Sequence, residues 1–183
     1  MFAESRTGRS NNGYPRAIMI LELNEKLMNY QKEHPETRLY ALVNGLQYEC
    51  YFQAEIKYIA GVNNPLFRYY PDSKIAFAGP WLFDMEYGHH WHDKLSELEN
   101  TYPSVSWILT PLSLDQLTRH LLPYLNIQLP TKQTALFRFY DPRVLHRIRD
   151  VLNDEQLVEF TRGMTKWLYQ HNAIYYSVSG AML

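Results

Sequence analysis

Residues 39–45 read Leu39-Tyr40-Ala41-Leu42-Val43-Asn44-Gly45. A short continuous apolar run of this kind, stopped by Asn-Gly, reads as a strand buried on both faces that enters a turn. Strands of that type are characteristic of sheets covered by helices on both sides. The question is therefore what lies between this strand and the next ones.

Upstream, Ile20, Leu23, Leu27 and Tyr30 recur in steps of three and four, which predicts a helix over residues 16–34 that Pro35 ends. Downstream, residues 52–59 read as a short helix terminated near Gly61 and Asn63-Asn64-Pro65. Ile75 to Ala78 and Trp81 to Met85 lie either side of Gly79-Pro80 as one bulged strand or two. Trp91, Leu95 and Leu98 give a helical stripe, and Val105 to Leu109 a further strand. Ser113 to Gln116 has the pattern of a capping box, with Asp115 in the first turn where the helix dipole favours a negative charge. Leu114, Leu117 and Leu121 form the apolar face behind it.

Thr134 to Tyr140 reads as another strand and runs straight into Asp141-Pro142. Aspartate is a strong N-cap because its carboxylate accepts from the free amides of the first turn, and proline fits the first helical position. The helix so opened turns Val144, Leu145, Ile148 and Leu152 inward. Asn153 to Gln156 is a second capping box, predicting a helix through Leu157, Phe160, Met164 and Trp167, and Ile174 to Val178 closes the chain as an edge strand. Strands thus alternate with helices about four times. The expectation is an α/β fold: one domain over residues 16–183, with a mixed, largely parallel central sheet flanked by helices and a helical C-terminal part. Right-handed crossovers would bring the strand carboxyl ends to one rim, with Asn44, Asp84, Asp141 and Arg143 near it. Residues 1–15 read as a flexible tail. Its arginines hint at a transit peptide, but Glu4 and the absence of an apolar face argue against one.

Composition narrows the function. A formal net charge of -1 gives no electrostatic reason to expect nucleic acid or an anionic membrane. No apolar run is long enough to span a bilayer. Cys50 is the single cysteine, so no internal disulfide forms and a cytoplasmic location is expected. Aromatic residues make up 15% of the chain; Tyr and Trp anchor protein interfaces as well as cores.

Signatures of catalysis are sparse. Neither G-x-G-x-x-G nor G-x-x-x-x-G-K-[ST] occurs, and Ser177-Val178-Ser179-Gly180 has no helix after it to make a nucleophile elbow. Cys50 lies among aromatics without a base, which reads as a buried, inert thiol. His89, His90, His92 and Asp93 form the one metal candidate: His89 with His92 or Asp93 would share a helix face, with a third ligand needed from elsewhere. Arg138, Asp141 and Arg143 form the densest charged constellation, open to two readings, an anion site at the sheet rim or a helix cap paired with an arginine.

Five segments carry a resemblance. They are Leu39 to Gly45, Asn64-Pro65-Leu66-Phe67, Ala78-Gly79-Pro80-Trp81-Leu82, Ser106-Trp107-Ile108-Leu109 and, most specific, Ala135 to Leu145. In this order they resemble the type VI secretion adaptor family, the Tap or Tec effector chaperones, from residue 39 onward. The resemblance implies a cytoplasmic, non-enzymatic chaperone without cofactor that binds a cognate effector toxin and the spike protein VgrG, sometimes with a PAAR-repeat protein. The family's usual aspartate in the first segment is Asn44 here. Trp81, Trp107, Arg138, Tyr140, Asp141 and Arg143 are the expected partner-binding residues. The competing readings are a metal-dependent hydrolase using the His89–His92 cluster and an immunity-type protein that binds the effector.

Overall fold

The computed structural model describes residues 26–27, 29–68, 72–88, 90–128 and 131–178. Its centre is a six-stranded sheet in the order β2-β3-β1-β4-β7-β8, built from β1 (Arg38–Asn44), β2 (Asn63–Pro65), β3 (Pro80–Asp84), β4 (Val105–Thr110), β7 (Lys166–His171) and β8 (Ile174–Ser177). β5 (Asn126–Gln128) and β6 (Thr134–Leu136) form a separate two-stranded ribbon. Every pairing is antiparallel. The expectation of a largely parallel sheet is therefore overturned.

The physical reason lies in the strands. Leu39, Ala41 and Val43 enter one apolar cluster while Tyr40 and Leu42 enter another. Both faces of β1 are dry, so it reads as a continuous apolar run whichever way its neighbours point. One face is covered by α1 (Gly45–Phe52) through Tyr48, by α2 (Trp91–Thr101) through Leu95 and Leu98, and by Leu27 and Ile56. The other is covered by α3 (Leu114–Leu121), α4 (Pro142–His146) and α5 (Asp154–Phe160), together with Phe137, Phe139 and Tyr140.

Local signals hold best at the caps. Ser113 and Asn153 each close a reciprocal capping box with a glutamine, and Asp141 caps α4 with Pro142 in its first turn. Asn44 caps α1, its Oδ1 accepting from the Gln47 amide at 3.4 Å. The helix after β1 therefore begins at residue 45, and residues 53–62 carry no helix, contrary to the expected helix over 52–59. Residues 72–78 form 3-10 helix where a strand was an option. Residues 26–27 and 29–33 are helical, with Leu27 buried; Ile20, Leu23 and the N-terminal tail lie outside the described residues.

The C-terminal part differs most from expectation. α5 stops at Phe160, and Trp167 lies in β7, its indole N–H donating to Ser106 Oγ at 3.0 Å. β7 and β8 form a hairpin with His171 opposite Ile174, so only Asn172 and Ala173 turn the chain. Both have positive φ, 50° and 63°, as a type I′ turn requires. Asn-Ala lacks the glycine that would have advertised the turn. Among the described residues no helix is long and apolar enough to cross a membrane.

Two substitutions test this architecture. A β-carbon on Gly45 would stand 2.0 Å from the Phe77 carbonyl oxygen and 2.6 Å from that of Gly79. Gly45→Ala is expected to lower stability by about 3 kcal/mol, seen as a lower urea midpoint at unchanged m-value. Ala173→Gly relieves a left-handed alanine and is expected to raise stability by about 0.5–1 kcal/mol in the same measurement.

Candidate functional site

The segment Phe137-Arg138-Phe139-Tyr140-Asp141-Pro142-Arg143 joins β6 to α4. Phe137 and Phe139 both point into the core, with ring centroids 6.1 Å and 5.4 Å from that of Phe160. Their period of two suggests a strand, but the ladder ends at Leu136 and the rest runs as a loop. The alternation leaves Arg138 outward, its side chain 47% exposed. Tyr140 is buried; burial pushes its phenol above the ordinary value, and the Arg138 guanidinium draws it partly back.

Asp141 is the organising group. It is 3% exposed. Its Oδ1 accepts from the Arg143 backbone N–H at 3.0 Å and from Arg143 Nε at 2.9 Å, and its Oδ2 accepts from Arg143 Nη2 at 2.6 Å. Arg138 Nη2 stands 3.6 Å from that same Oδ2. The hydrogen bonds and then the charge of Asp141 raise the pKa of Arg143. A two-point contact to a buried carboxylate fixes a guanidinium far better than a solvated ion pair does. Both arginines are thus held at the surface by one buried anion.

Beside them a cavity of about 220 Å³ is lined by Glu99, Val105, Arg143, Gln170, His171 and neighbouring residues. His171 stacks on His146 of α4 with centroids 3.8 Å apart and planes 13° apart. The Tyr169 hydroxyl lies 3.4 Å from His146 Nδ1, and the Tyr176 ring 4.9 Å from the His146 ring. Burial, and then the neighbouring His146, lower the pKa of His171. Sequence reading missed both histidines. His146 lies three residues after Arg143 on the Asp-Pro helix, a helical spacing that was available; His171 reaches the site only through the fold.

The predicted binding residues do not all meet. Arg138, Tyr140, Asp141 and Arg143 come together. Trp81 and Trp107 do not; they are core residues, 4% and 1% exposed, in the cluster on the other face of the sheet. Trp81 donates its indole N–H to the Ala76 carbonyl at 2.9 Å, and Trp107 to Glu99 Oε2 at 3.1 Å. The expected rim also divides. Antiparallel pairing sets Asn44 opposite Pro80 and Asp84 opposite Tyr40, so these two residues mark opposite ends of the sheet. Asp84 sits with Arg38, Oδ2 to Nη1 3.6 Å, well away from the Asn44 end.

His89 of the metal candidate lies outside the described residues. His92 stacks on Trp107 at 5.5 Å and has its Nδ1 3.9 Å from Asp93 Oδ1. Among the described residues no group of three or more His, Cys, Asp or Glu side chains is placed to hold a metal ion. Cys50, expected to be buried, is exposed on α1.

A family model described as a domain of unknown function, DUF4123, matches residues 39–159. The chain belongs to the DUF4123 family. The DUF4123 match runs from β1 through α5 and takes in Arg138, Asp141, Arg143 and His146, while β7 and β8 with His171 lie beyond it. No curated protein and no solved structure matches the chain.

Replacing Asp141 separates its two roles. Asp141→Ala removes both the cap and the ion pair and is expected to cost about 2 kcal/mol. Asp141→Asn keeps an oxygen to cap α4 and is expected to cost about 1 kcal/mol. No loss for Asp141→Asn in chemical denaturation would show that the pair with Arg143 contributes nothing, and equal losses that the cap contributes nothing.

Proposed function

We propose that this DUF4123 protein is an adaptor of the type VI secretion system, a cytoplasmic chaperone that binds a cognate effector toxin and brings it to the VgrG spike. The observation that carries the reading is the DUF4123 match over residues 39–159, which spans the five segments quoted for the adaptor resemblance, while the Trp167 region that also resembles the family lies beyond it. A PAAR-repeat protein is a further partner on this reading.

The site suits docking better than bond-making. Both oxygens of Asp141 are engaged by Arg143, so the carboxylate is not poised to move a proton. The guanidinium groups above it are half exposed and preorganised, which lowers the ordering cost of a polar contact. A loader must also release its cargo. Binding in the range of about -8 to -12 kcal/mol, micromolar to nanomolar, meets both demands. Holding effector and spike at once would raise the effective concentration of each for the other.

The test is affinity capture from cells with the full chain as bait. VgrG and the effector encoded beside it are expected in the eluate. Deleting the protein should stop effector delivery without killing the producing cell. Recovery of neither partner by folded protein would sink the adaptor reading, and self-killing on deletion would point to an immunity protein instead.

A further inference from the structure

We infer that Arg138, Arg143, His146 and His171 form one continuous basic surface that docks an acidic segment of the partner protein. The inference rests on the adaptor reading and supplies the chemistry of its contact.

Continuity follows from shared neighbours. Arg138 and Arg143 converge on the same oxygen of Asp141, at 3.6 Å and 2.6 Å. Arg143 and His171 line the same cavity. His171 and His146 lie ring on ring at 3.8 Å. Shared neighbours therefore group all four side chains, though the loop, α4 and β7 supply them separately.

The balance of charge tells this surface from the neighbouring arginines Arg147 and Arg149. Arg147 pairs with Asp150 and Arg149 with Asp154, each at 2.9 Å, so those cations are neutralised locally. Arg138 and Arg143 instead share one carboxylate, which leaves a cation in excess in a chain of net charge -1. The acidic groups behind the surface, Asp141 and Glu99, are both 3% exposed. Glu99 already accepts from the Trp107 indole and, at 2.9 Å, from the Tyr175 hydroxyl. At the outer surface a ligand thus meets mainly guanidinium and imidazole groups, with both carboxylates almost fully covered. Arginine forks present paired donors matched to a carboxylate. Nucleic acid fits less well, since Phe137, Phe139 and Tyr140, the aromatics beside Arg138 in sequence, are all buried, which leaves Tyr102 as the exposed aromatic lining the cavity.

The histidines make the surface respond to pH. The groups facing them are Arg143 from α4, Tyr169 from β7, Tyr176 from β8 and Glu99 across the cavity. A proton gained by the stacked pair adds a cation where the acidic ligand lies. Because burial and the neighbouring His146 lower the pKa of His171, affinity should rise as pH falls below about 6.5.

The experiment is fluorescence anisotropy on the full chain with a fluorescein-labelled decapeptide of alternating glutamate and glycine. The lysine counterpart and a single-stranded oligodeoxythymidine serve as comparison probes. The glutamate peptide is expected to bind, to weaken with added salt, and to lose about tenfold in affinity on Arg138→Gln with Arg143→Gln. Because Arg143 also compensates a buried carboxylate, Arg138→Gln alone is the second variant, expected to lose about threefold with folding intact. His171→Gln should flatten the rise in affinity between pH 7 and pH 5. Equal binding of the lysine peptide, tighter binding of the oligonucleotide, or unchanged affinity in folded Arg138→Gln would each overturn the inference. If folded Arg138→Gln recovers VgrG and effector as well as the native chain does, the surface is wrong and the adaptor reading stands. If the native chain binds the glutamate peptide but recovers neither partner, the adaptor reading alone fails.

Discussion

The sheet must be dry on both faces. Fully buried β1 side chains pass alternately into two separate clusters, so neither cluster can form unless helices close over each side. Burial at roughly 25 cal/mol per Å² of apolar surface makes this the dominant favourable term. It also dictates the order of the chain. Helices α1 and α2 follow β1 and β3 onto one face, while α3, α4 and α5 fill the interval between β4 and β7 on the other. The site lies at the margin of that second layer.

At that margin one carboxylate links core to surface. Phe137, Phe139 and Tyr140 anchor the loop by burial, and this brings Asp141 below the surface where an unpaired charge would be costly. Its solution is local: the α4 amide and the Arg143 fork satisfy it, with Arg138 close by. The requirement to compensate a buried anion is what fixes two arginines at the exterior. The surface proposed for docking thus arises from the same contact that starts a helix, and the reading of the constellation as cap or as binding site need not be a choice.

How much of this was legible follows from the range of each interaction. The caps at Ser113, Asp141 and Asn153 were readable because a side chain and an amide two or three residues away decide them. The strands at Leu39 to Val43 and Val105 to Leu109 were readable because a dry strand must be apolar throughout. Their direction was not, since the same apolar run serves parallel and antiparallel neighbours once both faces are covered. Trp167 was misread because Leu157, Phe160, Met164 and Trp167 keep helical spacing across a chain that has already left the helix at Thr161. The β7–β8 turn was hidden because alanine stands where glycine would mark it.

The amino-acid sequence alone thus settled the caps, the two central strands, the family resemblance and one part of the candidate site: Arg138, Tyr140, Asp141 and Arg143, which act within a few positions of one another. The tertiary structure alone decided that Trp81 and Trp107 belong to the core, that Asn44 and Asp84 lie at opposite ends of the sheet, and that His171 joins His146 beside Arg143. These outcomes depend on which strand pairs with which, and in which direction. That choice is made by apolar burial summed over the whole chain, and no short window of residues records it.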